Sequence, residues 1–303
     1  MEDLIGPADE LRYLAILLAV LAAVALAFGA QFQNNAVSNG KAKPKTKDGR
    51  GGLGLRQLRK LIVRPQWISG LGLMGLGMVL QLGALTLAPL IVVQPIGALA
   101  LVITSLLNAR VTKTRLNRGT TIAIILCTFG IAAFVTTASG VADANVLTDT
   151  DVTAVLAILL GLLVVFAVLF FTSGRSAKPL TYIIGAGVLY GFVATLAKVV
   201  IQRLYQMQFD WLTILCLLAL VAAVILGGWF VQNAYASGPP DLVIAGLTVI
   251  DPLVAVSVAI AILGEVEAAT PLTAIGFALS GAIAVAGVVL LSKVHPELAA
   301  SKQ

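Results

Sequence analysis

Charge is what this chain has least of: only 11% of its 303 residues are Asp, Glu, Lys or Arg, whereas 59% are apolar. An ordinary soluble domain carries about 25% charged residues, so bilayer hydrocarbon is the solvent that fits this composition. Cysteine is nearly as scarce. Cys127 and Cys216 both fall inside apolar runs, too few for a disulfide framework or a metal site, and read as small packing residues. The one histidine, His295, lies beyond the last apolar run and reads as a surface residue. Also missing are a second carboxylate near any membrane-embedded one, a nucleophile elbow, a Gly-rich phosphate loop and a metal-ligand cluster. Neither enzyme chemistry nor a cofactor is expected. The N-terminus opens on acids, Glu2, Asp3 and Asp9, not on a basic stretch, so the first apolar run reads as a retained span and not a cleaved signal peptide.

What the chain does have is long apolar runs, at 13–34, 67–87, 89–109, 119–138, 153–172, 180–204, 211–232, 241–263 and 272–292. A helix rises about 1.5 Å per residue and a hydrocarbon core is roughly 30 Å thick, so each run is long enough to cross. The expected fold is an all-α polytopic membrane protein of about nine transmembrane helices. Basic residues fall almost entirely on one side: nine in 39–66, four in 110–118, then Arg175, Lys178, Lys293 and Lys302, which together are 17 of the 20. The alternate loops hold ten of the 14 acids, among them Asp149, Asp151, Asp210, Glu265 and Glu267. By the positive-inside rule the N-terminus is then outside and the C-terminus cytoplasmic, in the cytoplasmic (inner) membrane. The net charge of +6 hugs membrane ends, which predicts contact with anionic lipids near 39–66 and no nucleic acid partner. In the same loop 55–62 reads either as a short amphipathic helix on the inner leaflet or as a solvated loop.

Spans 2–4 and 7–9 follow one plan: a helix ending in small or polar residues, a Pro-containing link, a helix interrupted by a polar-Pro pair, and a Gly/Ala-rich helix. Gln81, Pro89 and Gln94-Pro95 mark the first set; Gln232, Pro239-Pro240 and Asp251-Pro252 mark the second. With spans 1 and 6 added these make repeat 1 (13–138) and repeat 2 (180–292). Span 5 (153–172) is left as a connector, and a single connecting helix between four-helix units inverts one against the other. The rest is an extracytoplasmic N-terminus (1–12), a basic cytoplasmic loop (39–66) and a cytoplasmic tail (293–303).

A carboxylate in mid-span costs about 2.5–3.5 kcal/mol on insertion scales, which makes Asp251 the leading candidate for substrate or coupling-ion binding. Gln94 and Gln81, deep in spans 3 and 2, join it, with Pro95 and Pro252 as hinges. Gln31 and Asn34, at the inner end of span 1, are weaker candidates, since an interfacial helix end holds amides without any role. Lys198 is the other charge within a span; it reads as snorkelling outward, as holding a phosphate or carboxylate, or as pairing with Asp251 across a depth gap of about 10 Å. Gly187 and Gly191, and Gly276, Ser280 and Ala284, permit close helix approach.

The run from Pro240 to Asp251-Pro252, followed by Leu263-Gly264-Glu265, resembles the second repeat of EamA-type transporters of the drug/metabolite transporter superfamily. Those show a Pro, a mid-helix Glu-Pro and a terminal Leu-Gly-Glu at similar spacings; Asp251 stands at their Glu. Gly72 to Gly77, Ala88-Pro89 and Pro95 to Leu99 resemble the NIPA branch, which has nine spans and is associated with magnesium transport. This sequence departs from that branch at Met78 and at Asn108-Ala109, where acidic residues are the pattern. Magnesium favours hard oxygen ligands, and one embedded Asp beside a Lys makes a poor cage.

Together these observations imply a secondary transporter moving a polar, anionic small metabolite by alternating access. Alternatives are a flippase for a lipid-linked sugar or polyprenyl phosphate, a NIPA-like magnesium transporter and a non-transport scaffold. Whether the chain forms a homodimer is left open by the sequence.

Overall fold

A computed structural model of the chain describes residues 7–38, 64–111, 117–142, 147–173, 179–237, 240–266 and 269–294. Among these there is no strand. The helices are α1 (Pro7–Ser38), α2 (Pro65–Leu87), α3 (Leu90–Gly97), α4 (Leu99–Val111), α5 (Arg118–Ser139), α6 (Asp149–Ser173), α7 (Pro179–Tyr205), α8 (Trp211–Ser237), α9 (Pro240–Ala261) and α10 (Pro271–Val294). Nine spans among the described residues are long and apolar enough to cross a bilayer, α3 and α4 together making one of them. Most of the basic loop 39–66, including 55–62, and His295 lie outside the described residues.

Local chemistry sets the helix starts. Pro65 opens α2 at its first turn, where a missing N–H costs nothing. Asn117 accepts from the Thr120 amide at 2.7 Å to cap α5. Asp151 reaches back to the Thr148 amide at 2.9 Å, and Thr148 answers at the Asp151 amide at 3.3 Å, a reciprocal cap at the start of α6. Asp210 accepts from the Thr213 amide at 3.0 Å and caps α8.

The helices then pack through residues without bulk, as lipid-embedded bundles must when no hydrophobic force drives helix against helix. A Cβ on Gly70 would stand 2.8 Å from the Gly29 carbonyl, and one on Gly77 would stand 2.8 Å from the Leu26 side chain, so α1 and α2 lie antiparallel in close contact. A Cβ on Gly130 would strike the backbone of Ala284, and one on Gly287 that of Cys127, which joins α5 to α10. Both Cys127 and Cys216 are buried free thiols.

Packing pairs repeat along the chain. α1 lies on α2 as α7 lies on α8; α1 also packs on α3 and α4 as α7 packs on α9, while α5 meets α10 and α3 meets α9 across the middle. α6 touches mainly α8 and α7, the two joined by the rings of Phe166, Phe230 and Tyr182. Two contacts have no counterpart: α2 and α3 both touch α7, whereas α1 makes no comparable contact with α8 or α9.

Two prolines at matching places behave differently. Pro95 is followed by a break at Ala98, whose amide bonds the Pro95 carbonyl at 3.2 Å in a tighter turn, so the third span is two helices. Pro252 lies within α9, which runs on unbroken to Ala261.

Candidate functional site

A cavity of about 480 Å³ opens between the two halves of the bundle. Gln81 of α2, Gln94 of α3, and Thr248, Asp251 and Pro252 of α9 line it, with Tyr190 of α7. A small apolar crevice of about 70 Å³ adjoins it, and both Pro95 and Pro252 border that crevice.

Asp251 reaches this position because α7 gives way to α9. A Cβ on Gly191 would lie 2.9 Å from the Asp251 carbonyl and 2.7 Å from the Val254 side chain, while one on Gly187 would lie 2.6 Å from Ile250. The four-residue glycine spacing of α7 therefore forms the groove into which the Asp251 turn settles. There the carboxylate is half-buried, and its Oδ1 is enclosed without a hydrogen-bond partner from the protein. Such an oxygen is costly unless something answers it. Tyr190 shares the wall. Gln94 is 8% exposed.

Lys198 is turned away from Asp251. Only 6% exposed, its ammonium donates to the carbonyls of Leu85 at 2.6 Å and Ala88 at 2.7 Å. It neither snorkels nor pairs with Asp251: the end of α2 leaves carbonyls that no amide can answer, and the ammonium supplies the donors. Gln31 is buried at the far end of α1 and donates to the Asn35 side chain at 3.0 Å, outside the cavity wall. The side chain of Asn34 lies outside the described residues.

Glu265, counted by the sequence among exposed loop acids, is 3% exposed. Its two oxygens accept from the backbone amides of Leu90 and Ile91, each at 2.8 Å, so the last turn of one half caps the first turn of α3 in the other. The chain turns inward through Gly264, at φ 62°, while the Leu263 and Glu265 amides return to the carbonyls of Val258 and Ala259. This is the physical content of Leu-Gly-Glu: a glycine for the left-handed turn, a carboxylate for the helix start. Burial pushes the Glu265 carboxyl upward, opposed by the two amides and by the charge of Lys198.

Arg203 lies at the end of α7 on the same face as Glu265. With no exposed surface, it bonds Thr213 Oγ1 at 2.8 Å, Asp149 at 2.8 Å and Asp210 at 2.6 Å. Arg12 donates to the carbonyls of Ser139 and Ala142. With the antiparallel α1–α2 pair, these bonds gather the starts of α1, α3, α6 and α8 and the ends of α2, α5, α7 and α9 on one face of the bundle. That acidic face opposes a basic one holding Arg64, Arg110, Arg118 and Lys293.

Sequence reasoning missed Tyr190 and Thr248, which carry no charge and no motif, and the inward fold of Glu265, which a loop position conceals. No group of three His, Cys, Asp or Glu side chains placed to hold a metal ion occurs among the described residues.

Comparison with curated proteins and with solved structures found no match. The family model described as Magnesium transporter NIPA matches residues 10–234, from the first span through the helix before Asp251. That is well over half of the chain, and the chain, a multi-pass membrane protein, belongs to the NIPA magnesium transporter family, within the drug/metabolite transporter (EamA-like) superfamily.

Proposed function

We propose that the protein is a secondary transporter carrying a small cation through the Asp251 cavity by alternating access, with magnesium the first candidate. One observation carries this reading. Among the described residues Asp251 supplies the only formal charge in the cavity wall, and the cation on which an anionic substrate depended, Lys198, is spent on the Leu85 and Ala88 carbonyls. A phosphate or carboxylate, free or lipid-linked, would meet a carboxylate there with nothing to offset it. Membership of the NIPA family supports magnesium in particular.

Lacking a cluster of ligating side chains, the cavity suits an ion that keeps its water. Magnesium dehydrates reluctantly and is usually held through one or two carboxylates with several waters retained. The Asp251 carboxylate, the Gln81 and Gln94 amides and the hydroxyls of Thr248 and Tyr190, all on the cavity wall, would receive those waters. The matched pairs α1–α2 with α7–α8, and α5–α10 across the middle, support the inverted-repeat reading. The basic residues Arg64, Arg110 and Arg118 support a cytoplasmic basic face.

A second reading is favoured by the enclosed Oδ1 itself: Asp251 carries a proton, and the solute is a polar metabolite taken up with it. Proteoliposomes separate the two. Magnesium influx into indicator-loaded vesicles is expected to fall at least tenfold in Asp251→Asn and several-fold in Gln94→Ala, and to persist in part in Asp251→Glu. Influx unchanged in Asp251→Asn sinks the cation reading; solute uptake that follows a pH gradient and fails in Asp251→Asn establishes the second. Lipid scrambling without solute flux would establish a flippase against both.

A further inference from the structure

The turn between α2 and α3 is held in an unusual way. Leu85 before it and Gln94 after it both line the cavity, so the strand of chain between them lies at the cavity's acidic-face end. That stretch is closed off: Ala88 is 1% exposed, and Leu90 to Val93 show no surface at all. Its backbone groups are answered by two side chains from the other half of the bundle. Lys198 of α7 takes the Leu85 and Ala88 carbonyls, and Glu265, just past α9, takes the Leu90 and Ile91 amides.

We infer that this clasp is the acidic-face gate of the cavity, closed in this conformation by Lys198 and Glu265 and released when that face opens. Neither charge belongs to the substrate wall, so neither is required for binding. What they join is the α2–α3 turn to α7 and α9, and the contacts they make include the ones without a partner: α2 and α3 touch α7, while α1 has no matching contact with α8 or α9. Between two repeats whose other contacts recur, the one-sided contacts of α2 and α3 with α7 mark the conformation and not the fold. Four charge-assisted bonds to backbone groups suit a gate, because the backbone turn they hold can be let go as a unit.

The inference rests on an alternating-access reading but not on the identity of the substrate, so it is tested without one. In a chain with Cys127→Ala and Cys216→Ala, a reporter Ala194→Cys stands in the cavity wall. Vesicles exposing the acidic face are treated with a membrane-impermeant maleimide. Slow labelling is expected with the native clasp, and labelling at least tenfold faster in Glu265→Gln and in Lys198→Met, each checked for an unchanged gel-filtration profile. Equally fast labelling in the native chain, or no acceleration in either folded variant, overturns the gate. Hydrogen exchange on the unmodified protein decides the matter should neither variant fold. A gate that cycles exposes the Leu90 and Ile91 amides faster than equally buried amides in mid-α7; a permanent cap leaves them at least as protected, which also overturns the inference.

Discussion

Gly264 is one residue with one torsion to supply, and the direction of Glu265 depends on it. At φ 62° an added Cβ is strained by about 1–2 kcal/mol. Gly264→Ala is therefore expected to lower the thermal midpoint in detergent by a few degrees and to accelerate acidic-face labelling of the cavity, through a mis-aimed Glu265. At Asp210 the amide of Thr213, then the Arg203 guanidinium, hold the carboxyl well below its ordinary range, at about 2. A carboxyl lowered on folding contributes stability that is complete above its unfolded value, near 3.8, and lost as pH falls toward about 2. The midpoint of the native protein should thus exceed that of Asp210→Asn at neutral pH, with the difference shrinking below pH 3.8. A gap that widens in acid would contradict the bonding seen at Arg203.

At the scale of helices, the glycines divide into those that packing requires and those it does not. Gly287 faces the Cys127 backbone, which cannot step aside, whereas Gly72 and Gly75 have nothing within 4 Å of an added Cβ. Gly287→Leu should separate α5 from α10 at a cost of about 1–3 kcal/mol or more; Gly75→Leu should leave thermal stability within about 0.5 kcal/mol of native. Heating each variant in detergent and following the remaining monodisperse fraction compares them. The Gly-rich run 72–77 could not be divided in this way by reading it, because spacing alone does not tell which side of α2 meets α1. Nor could the matched prolines be told apart, although the third span breaks after Pro95 while α9 runs unbroken through Pro252.

For the molecule as a whole, the uneven contact between α2 and α7 has a mirror consequence. If the clasp opens, α2 withdraws from α7 and α8 closes on α1. Spin labels at the exposed positions Phe32 and Tyr235 should show a second, shorter distance population when Glu265→Gln favours the open acidic face; a distribution unchanged from native would argue for a rigid bundle.

Apolar length and the scarcity of charge settled the nine spans, since no other fold hides so much hydrocarbon in so few breaks. The repeated polar-Pro pairs likewise pointed at Gln94 and Asp251 together, and Gln81, Gln94 and Asp251 do share a cavity wall. What the sequence could not decide was the fate of its buried charges. Lys198 and Glu265 lie 67 positions apart, and each answers backbone atoms more than 100 residues away. Side-chain type records that a charge needs a partner; only the packed bundle determines that the partner is a carbonyl or an amide. For that reason a lysine that reads as snorkelling, as an anion site or as a partner for Asp251 became, in the folded molecule, part of a clasp, and the described wall of the cavity was left with a single negative charge.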